Sequence, residues 1–159
     1  MRWIDFDLTL NETKTRTTDA RQMRFNFLGF AIRVSKSWKT EKSYPHVCPA
    51  PKSLAKIKDR ITQMTGRERT PIPLDDIVGG MNATLRGWVN YFHYRNSSKV
   101  LEKVRTHTEK RLRTHLMNRH KVKDRGTGLG RFPSREFYTH LGLYKVPTTA
   151  GWKTAHALV

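Results

Sequence analysis

The sequence predicts an α+β protein that is mostly α, with a small antiparallel strand pair followed by an α-helical bundle. Three observations support this order. Apolar residues alternate with polar ones in two runs within residues 5–34, which is typical of strands. From residue 54 to residue 116 they recur at intervals of three and four, which is typical of helices. Residues 37–53, between the two parts, contain three prolines and predict a linker.

The charge of the chain restricts its partners. Among 159 residues, Lys and Arg total 31 and Asp and Glu total 13, which gives a formal net charge of +18. Such an excess attracts polyanions, and nucleic acid is the commonest polyanion in a cell. No apolar stretch approaches the roughly 18 residues needed to span a bilayer, so we expect no membrane partner.

Cysteine usage and the N-terminus predict the compartment. Cys48 is the only cysteine, which excludes an internal disulfide and a cysteine-rich zinc site. The first ten residues lack the apolar run and cleavage site of a secretory signal. We therefore expect a cytoplasmic protein.

Two neighbouring runs predict the strand pair. Leu8 and Leu10 alternate with polar residues before a turn at Asn11. Residues 23–34 alternate as well but change parity near Gly29, where we expect a bulge or the close approach of another backbone.

Two helices are predicted next. The first covers residues 54–64, with Ser53 as its cap and Gly66 as its stop. The second begins at Leu74, and its glycines at positions 79, 80 and 87 are interpreted as close-packing or kink points, although a break at residues 79–80 also fits. The acidic pair 75–76 is interpreted as first-turn residues that complement the helix dipole, rather than as metal ligands.

The stretch LRGWVNYFHYRN, residues 85–96, carries four aromatic residues between two arginines. Interpreted as a helix, it places Trp88 on the apolar stripe, so we expect the indole to pack in the core. The polar side offers groups suited to a partner, namely Arg86, Asn90, Tyr94 and Arg95.

A third helix is predicted after residues 96–98, and it is crowded with cations. Between Lys99 and Arg125, ten Lys and Arg residues face three acids. A helix that needs only solubility would mix the signs to form pairs four residues apart, so we favour a polyanion contact over a merely solvated face. Arginine is preferred to lysine because its planar fork holds phosphate through two nitrogens. The predicted RNA-binding residues are Arg86, Asn90, Tyr94, Arg95, Arg111, Arg113, Arg119, Lys121 and Lys123.

The C-terminal part gives weaker signals. Residues 124–134 are rich in glycine, but their spacing matches neither a P-loop nor a dinucleotide motif, so we expect a flexible connection. Ser134 is predicted to cap a last short helix. Residues 142–159 predict a tail that orders only against a partner.

No catalytic site can be assembled from these residues. The seven histidines are scattered, and His107 and His115 lack a nearby carboxylate or cysteine, which favours packing or RNA contact over metal binding. We expect no catalytic residue, no protein-bound metal and no cofactor.

The motifs resemble those of a known family. FNFLGFAI, residues 25–32, and LRGWVNYF, residues 85–92, stand in the order and at the separation seen in group II intron-encoded reverse transcriptase/maturases. LTLNETKT and RTPIPLDDI extend the match, so the chain resembles the C-terminal part of such a protein. The resemblance implies a palm remnant (1–36), a linker (37–53), a helical thumb or X domain (54–125) and a C-terminal extension (126–159). It also implies a primer-grip-like region that contains Phe27, Leu28, Gly29 and Phe30.

The sequence departs from the family in one respect that decides its chemistry. Polymerisation in the family depends on a YADD-type pair of aspartates that bind magnesium, and nothing here matches that block. The resemblance therefore implies a chain that is not an enzyme on its own, with magnesium expected only in an intact enzyme or in the bound RNA.

Three functions follow. The first is binding of group II intron RNA to promote its folding and splicing. The second is service as the C-terminal piece of a reverse transcriptase, which contacts primer and template and is active only with an upstream catalytic palm. The third is generic binding of nucleic acid by a basic protein. The oligomeric state is not predicted.

Overall fold

A computed structural model describes residues 18–149 of the chain. Three strands, β1 (Phe25–Phe27), β2 (Phe30–Lys36) and β3 (Ser43–Pro49), form an antiparallel sheet in the order β1-β2-β3. The helices that follow are α1 (Pro51–Met64), a 3-10 helix (Arg67–Arg69), α2 (Leu74–Phe92), α3 (Ser98–Arg119), α4 (Arg125–Arg131) and α5 (Ser134–Thr139). The predicted class, α+β and mostly α with strands first, is confirmed.

Residues 23–34 form a hairpin instead of one strand. Phe27 pairs with Phe30, and the two residues between them, Leu28 at φ 46° and Gly29 at φ 80°, make the turn. Positive φ at both central residues is the type I′ geometry, whose twist matches that of paired strands. The parity change at Gly29 is a chain reversal, so the predicted bulge was wrong. The predicted strand at residues 8–10 lies outside the described residues.

The predicted irregular linker contains a strand. β3 pairs with β2 from Phe30 opposite Pro49 to Lys36 opposite Ser43. Proline is tolerated because β3 is an edge strand of the described sheet, where a missing N–H leaves no partner unpaired. The prediction of an irregular linker from these prolines is wrong for residues 43–49.

The helix boundaries differ from the expectation at two places. Pro51 occupies the first turn of α1, where its missing N–H costs nothing, and Ser53 forms no cap. The second helix runs unbroken through glycines 79–80. A Cβ built on Gly80 would lie 2.7 Å from the terminal methyl of Met64, so a larger residue here would displace that flexible side chain.

α2 ends at Phe92, four residues before the predicted end. The N–H of Tyr94 donates to the carbonyl of Phe92, and Arg95 turns the chain at φ 47°. Asn96 then bonds to β3, since its N–H donates to the Val47 carbonyl and its Oδ1 accepts from the Val47 N–H. Tyr94 and Arg95 therefore do not continue the helical face of Arg86.

The core joins the helices to the C-terminal segment. α1, α2 and α3 contribute a continuous set of buried aliphatic side chains, and Phe137, Leu143 and Val146 belong to the same cluster. Residues 142–149 are thus packed against the helices, and the predicted tail was wrong over this range, whereas residues 150–159 lie outside the described part. No helix in the described part is long and apolar enough to span a bilayer.

The glycine-rich connection is partly helical. α4 occupies residues 125–131, and the Asp124 carboxylate caps it by accepting from the Thr127 N–H at 2.6 Å. Hydrogen bonds from backbone N–H groups, above all that of Thr127, lower the pKa of the Asp124 carboxylate. The expected flexible connection was wrong here because one capping acid offsets the helix-breaking effect of the glycines.

A candidate nucleic-acid interface

Three arginines of α3 that were predicted to bind RNA make contacts inside the protein. The Arg111 guanidinium donates to the Thr65 hydroxyl at 3.2 Å and to the carbonyls of Thr62 and Thr65 at 3.4 and 3.2 Å. These carbonyls belong to the end of α1, where a helix leaves acceptors without an internal partner and where its dipole favours a cation. Arg111 thus holds α1 to α3.

Arg113 and Arg119 act in a similar way. Arg113 donates to the Phe132 carbonyl at 2.9 Å and to the Ser134 hydroxyl at 2.7 Å, which joins α3 to the segment between α4 and α5. Arg119 donates to the carbonyls of Thr70 and Ile72, in the loop before α2. The fork that suits phosphate also suits backbone carbonyls, and the sequence alone does not separate these uses.

A basic groove runs beside the C-terminal half of α3. Its volume is about 790 Å³, and none of its lining residues is acidic. Lys110, Thr114 and Met117 line it at spacings of four and three, which places them on one face of α3, and Lys121 lines it just after the helix ends. The cations that line the groove are Arg67, Lys110, Arg113, Lys121, Lys123 and Arg125.

The groove cations are available to a ligand. With the exception of Arg113, their side chains make no hydrogen bond or ion pair with any described residue. The ion pair recorded among the described residues lies elsewhere, between Arg105 and Glu109 at 3.1 Å. Uncompensated cations in a concave, low-dielectric wall raise the local concentration of polyanions.

The far end of α3 positions two of these lysines. The Val122 N–H donates to the Met117 carbonyl at 2.9 Å and the Lys121 N–H to the Asn118 carbonyl at 3.3 Å, which is the Schellman pattern of a helix C-terminus. Lys121 occupies the left-handed position of that motif at φ 55°, where glycine is usual. The chain thereby keeps a cation at the mouth of the groove at a cost in backbone strain.

α4 closes the other side of the groove. Gly128 is buried, and a Cβ built on it would lie 2.4 Å from Met117 Sδ. Glycine therefore lets α4 approach α3 closely enough to bring Arg125 and Leu129 to the rim.

The segment after α5 packs on part of the polar face of α2, while Arg86 and Asn90 on that face stay exposed. The Asn82 amide donates to the Gly142 carbonyl at 2.8 Å and accepts from the Tyr144 N–H at 2.6 Å. One turn later, the Arg86 guanidinium lies 4.7 Å from the Tyr144 ring centre, within cation–π range. Asn90 is exposed on the same face.

Two further predicted contact residues pair with each other after the helix. Arg95 Nε donates to the Tyr94 hydroxyl at 3.1 Å, and its guanidinium lies 5.3 Å from the ring centre. Trp88 packs against the core and lies 4.6 Å from the Phe92 ring, as expected, but it stays partly exposed in a groove between α1 and α2.

The primer-grip-like turn is anchored to the helices through its carbonyls. The Leu28 carbonyl accepts from the Tyr91 hydroxyl at 3.0 Å, and the Gly29 carbonyl accepts from the Ala50 N–H and the Ser53 hydroxyl, both at 2.8 Å. The side chains of Phe27 and Leu28 point outward and are 59% and 67% exposed. Phe30 instead packs on Tyr91 and Phe92.

One polar network supports α3 from the side away from α1. Glu109 accepts from Arg105, Ser134 and Tyr138. Burial raises the pKa of Glu109, but the three donors outweigh burial and leave the pKa lowered. Burial, together with the adjacent Glu109 carboxylate, raises the pKa of Tyr138 to about 12, so the phenol stays protonated as a donor.

The histidines of α3 are packing residues. The His107 ring lies 3.1 Å from the Thr62 hydroxyl and 3.2 Å from the Lys58 carbonyl. His115 is fully buried; its ring lies beside the backbone of Thr65 and Gly66, but neither ring nitrogen meets hydrogen-bond geometry with a described residue. The described part of the chain contains no cluster of three or more metal-ligating side chains.

Residues 54–132 match the model of the group II intron, maturase-specific domain. This chain carries a maturase-specific domain. The match begins in α1 and ends at the residue after α4, so it includes every wall of the basic groove. The implied X domain, residues 54–125, lies within it. No curated protein matches the chain.

The structure brings together only part of the predicted set. Arg113, Lys121 and Lys123 lie in the groove of the maturase domain, whereas Arg86, Asn90, Tyr94, Arg95, Arg111 and Arg119 do not line it. The prediction omitted Arg67, Lys110 and Arg125. The helical spacing of Lys110 and Thr114 was a readable signal, but Arg67 comes from a separate element that only the fold brings close.

Proposed function

We propose that the chain binds group II intron RNA through the basic groove of its maturase domain and thereby promotes the folding and splicing of that RNA. The observation that carries the proposal is the groove itself, with six cations, no acidic lining residue and its full extent inside the matched domain. A folded RNA presents phosphates from several helices, and a concave cationic wall fits such a surface without reading buried bases.

The test replaces three exposed groove lysines, Lys110, Lys121 and Lys123, with glutamine. Affinity for a group II intron RNA should fall, and the slope of log K against log salt should flatten by roughly two to three units, since each lost phosphate contact removes about one counterion. The matched control replaces three exposed lysines outside the groove, Lys52, Lys56 and Lys99, and alters net charge equally.

Two results would contradict the proposal. An equal loss in both triple variants would mean that net charge alone sets the affinity. An affinity of the unaltered chain for intron RNA no higher than for a random RNA of equal length would remove the maturase role and leave generic binding.

A second candidate, the C-terminal piece of a reverse transcriptase, is favoured by one observation. Three hydrogen bonds to the carbonyls of the primer-grip-like turn hold it against α1 and α2. Phe27 and Leu28 face outward, as contact with a primer would require. Sequencing of the DNA upstream tests this candidate. A frame that encodes a YADD block would support it, and the absence of such a frame nearby would count against it.

A further inference from the structure

The loop between β2 and β3 exposes a tryptophan. Trp38 is 86% exposed, more than any other large hydrophobic side chain in the described residues. The loop, residues 37–42, lies at the opposite end of β2 from the primer-grip-like turn. The length of this seven-residue strand separates the two by about 20 Å. It belongs to the sheet, whereas the basic groove is built from α3, α4 and the 3-10 helix.

Hydrogen bonds between residues of the loop fix its backbone conformation. The Ser37 N–H donates to the Lys42 carbonyl at 3.0 Å and the Glu41 N–H to the Ser37 carbonyl at 2.8 Å. The Ser37 hydroxyl accepts from the Thr40 N–H at 3.4 Å, and Glu41 turns the chain at φ 54°. A side chain on such a closed loop is presented with less loss of entropy on binding than one on an open loop.

One lysine lies against the indole, and two more flank the loop along the chain. Lys39 Nζ lies 5.2 Å from the Trp38 ring centre, and Lys36 and Lys42 stand at the two ends of the loop, against the single acid Glu41. Lysine is depleted in protein–protein interfaces, so this surrounding argues against a protein partner. An aromatic face flanked by cations matches instead the way that proteins stack unpaired bases while neutralising the adjacent phosphates.

We infer that Trp38 and the lysines of its loop form a second RNA contact, in which the indole stacks on an unpaired base and Lys36, Lys39 and Lys42 hold the flanking phosphates. This inference rests on the proposed RNA-binding function. It adds a site for single-stranded RNA to a groove suited to folded RNA.

The experiment measures equilibrium binding of the full chain to a single-stranded RNA and to the same RNA annealed to its complement. Trp38→Ala should weaken binding to the single strand about tenfold, which is a typical loss for one stacked base, and should leave duplex binding within about twofold. Trp38→Phe keeps an aromatic face and should restore most of the affinity. Met23→Ala removes another exposed apolar side chain and should change neither affinity.

Three outcomes would overturn the inference. In the first, Trp38→Ala binds the single strand with unchanged affinity. In the second, Trp38→Ala loses the same affinity for the single strand and for the duplex. In the third, Trp38→Ala changes the self-association of the chain but not its RNA binding. Thermal unfolding followed by circular dichroism shows whether each variant is folded. The failure of intron preference, with Trp38 selectivity retained, would contradict the proposed function but not this site.

Discussion

Lys121 has a strained backbone conformation and an exposed charged side chain. One substitution tests the effect of each property. Lys121→Gly keeps the left-handed conformation and removes the charge. We expect the free energy of unfolding to be kept or raised by up to about 1 kcal/mol, because glycine carries no Cβ penalty at positive φ. RNA affinity should fall. A variant that loses stability, or that binds RNA unchanged, would contradict the role given to this lysine.

His115 predicts a dependence of stability on pH. Burial lowers its pKa, so the folded chain holds the ring neutral while the unfolded chain takes up a proton below about pH 6.5. The stability contributed by the neutral ring is therefore present above that pH and is lost as the pH falls. The pKa values of His46 and His107 are lowered mainly by burial too, so they contribute in the same direction.

His115→Leu should make this dependence shallower between pH 8 and pH 5. Stability at pH 8 should be unchanged or higher, because the buried polar ring lies beside the backbone of Thr65 and Gly66 without a hydrogen bond of normal geometry. Urea unfolding at a series of pH values measures both effects. An unchanged slope would show that the other histidines carry the whole dependence.

Lys110 and Arg111 are neighbours in α3 with different roles: Lys110 lines the basic groove, and Arg111 holds α3 to α1. Arg111→Gln should lower the free energy of unfolding by about 1–3 kcal/mol, because the carbonyls at the end of α1 lose their donor. Lys110→Gln should leave stability unchanged and weaken RNA binding. Chemical denaturation and RNA titration of both variants test this division, and the reverse pattern would contradict it.

The β1–β2 hairpin is an element that the alternation of apolar residues did not predict. Alternation on both sides of Gly29 was visible, yet the same pattern arises from a strand with a bulge and from two strands joined by a tight turn. A leucine at the first turn position, where Asn or Asp is usual, hid the turn. The close approach of Gly29 to Phe92 and Ser53 depends on α1 and α2, which local sequence does not encode.

At the level of the whole molecule, the C-terminal segment is part of the folding unit. Removal of residues 126–159 deletes Phe137, Leu143 and Val146 from the core and takes the acceptors of Arg113. We expect a loss of more than about 5 kcal/mol, which is comparable to the whole stability of an ordinary domain. The truncated chain should show no cooperative thermal transition, whereas a chain ending at residue 149 should keep one. Cooperative unfolding of the shorter chain would support the predicted boundary at residue 125.

Sequence pattern was sufficient for the fold class, for three long helices and for the maturase resemblance, because these depend on periodicity and on contiguous motifs. It was also sufficient for the basic character of α3. The partners of each cation were decided by tertiary structure alone. Arg111, Arg113 and Arg119 look like their neighbours along the chain, but they reach carbonyls 19 to 49 positions away. Local sequence cannot specify which cations meet an internal acceptor and which stay free, since that depends on where helices distant in sequence pack against each other.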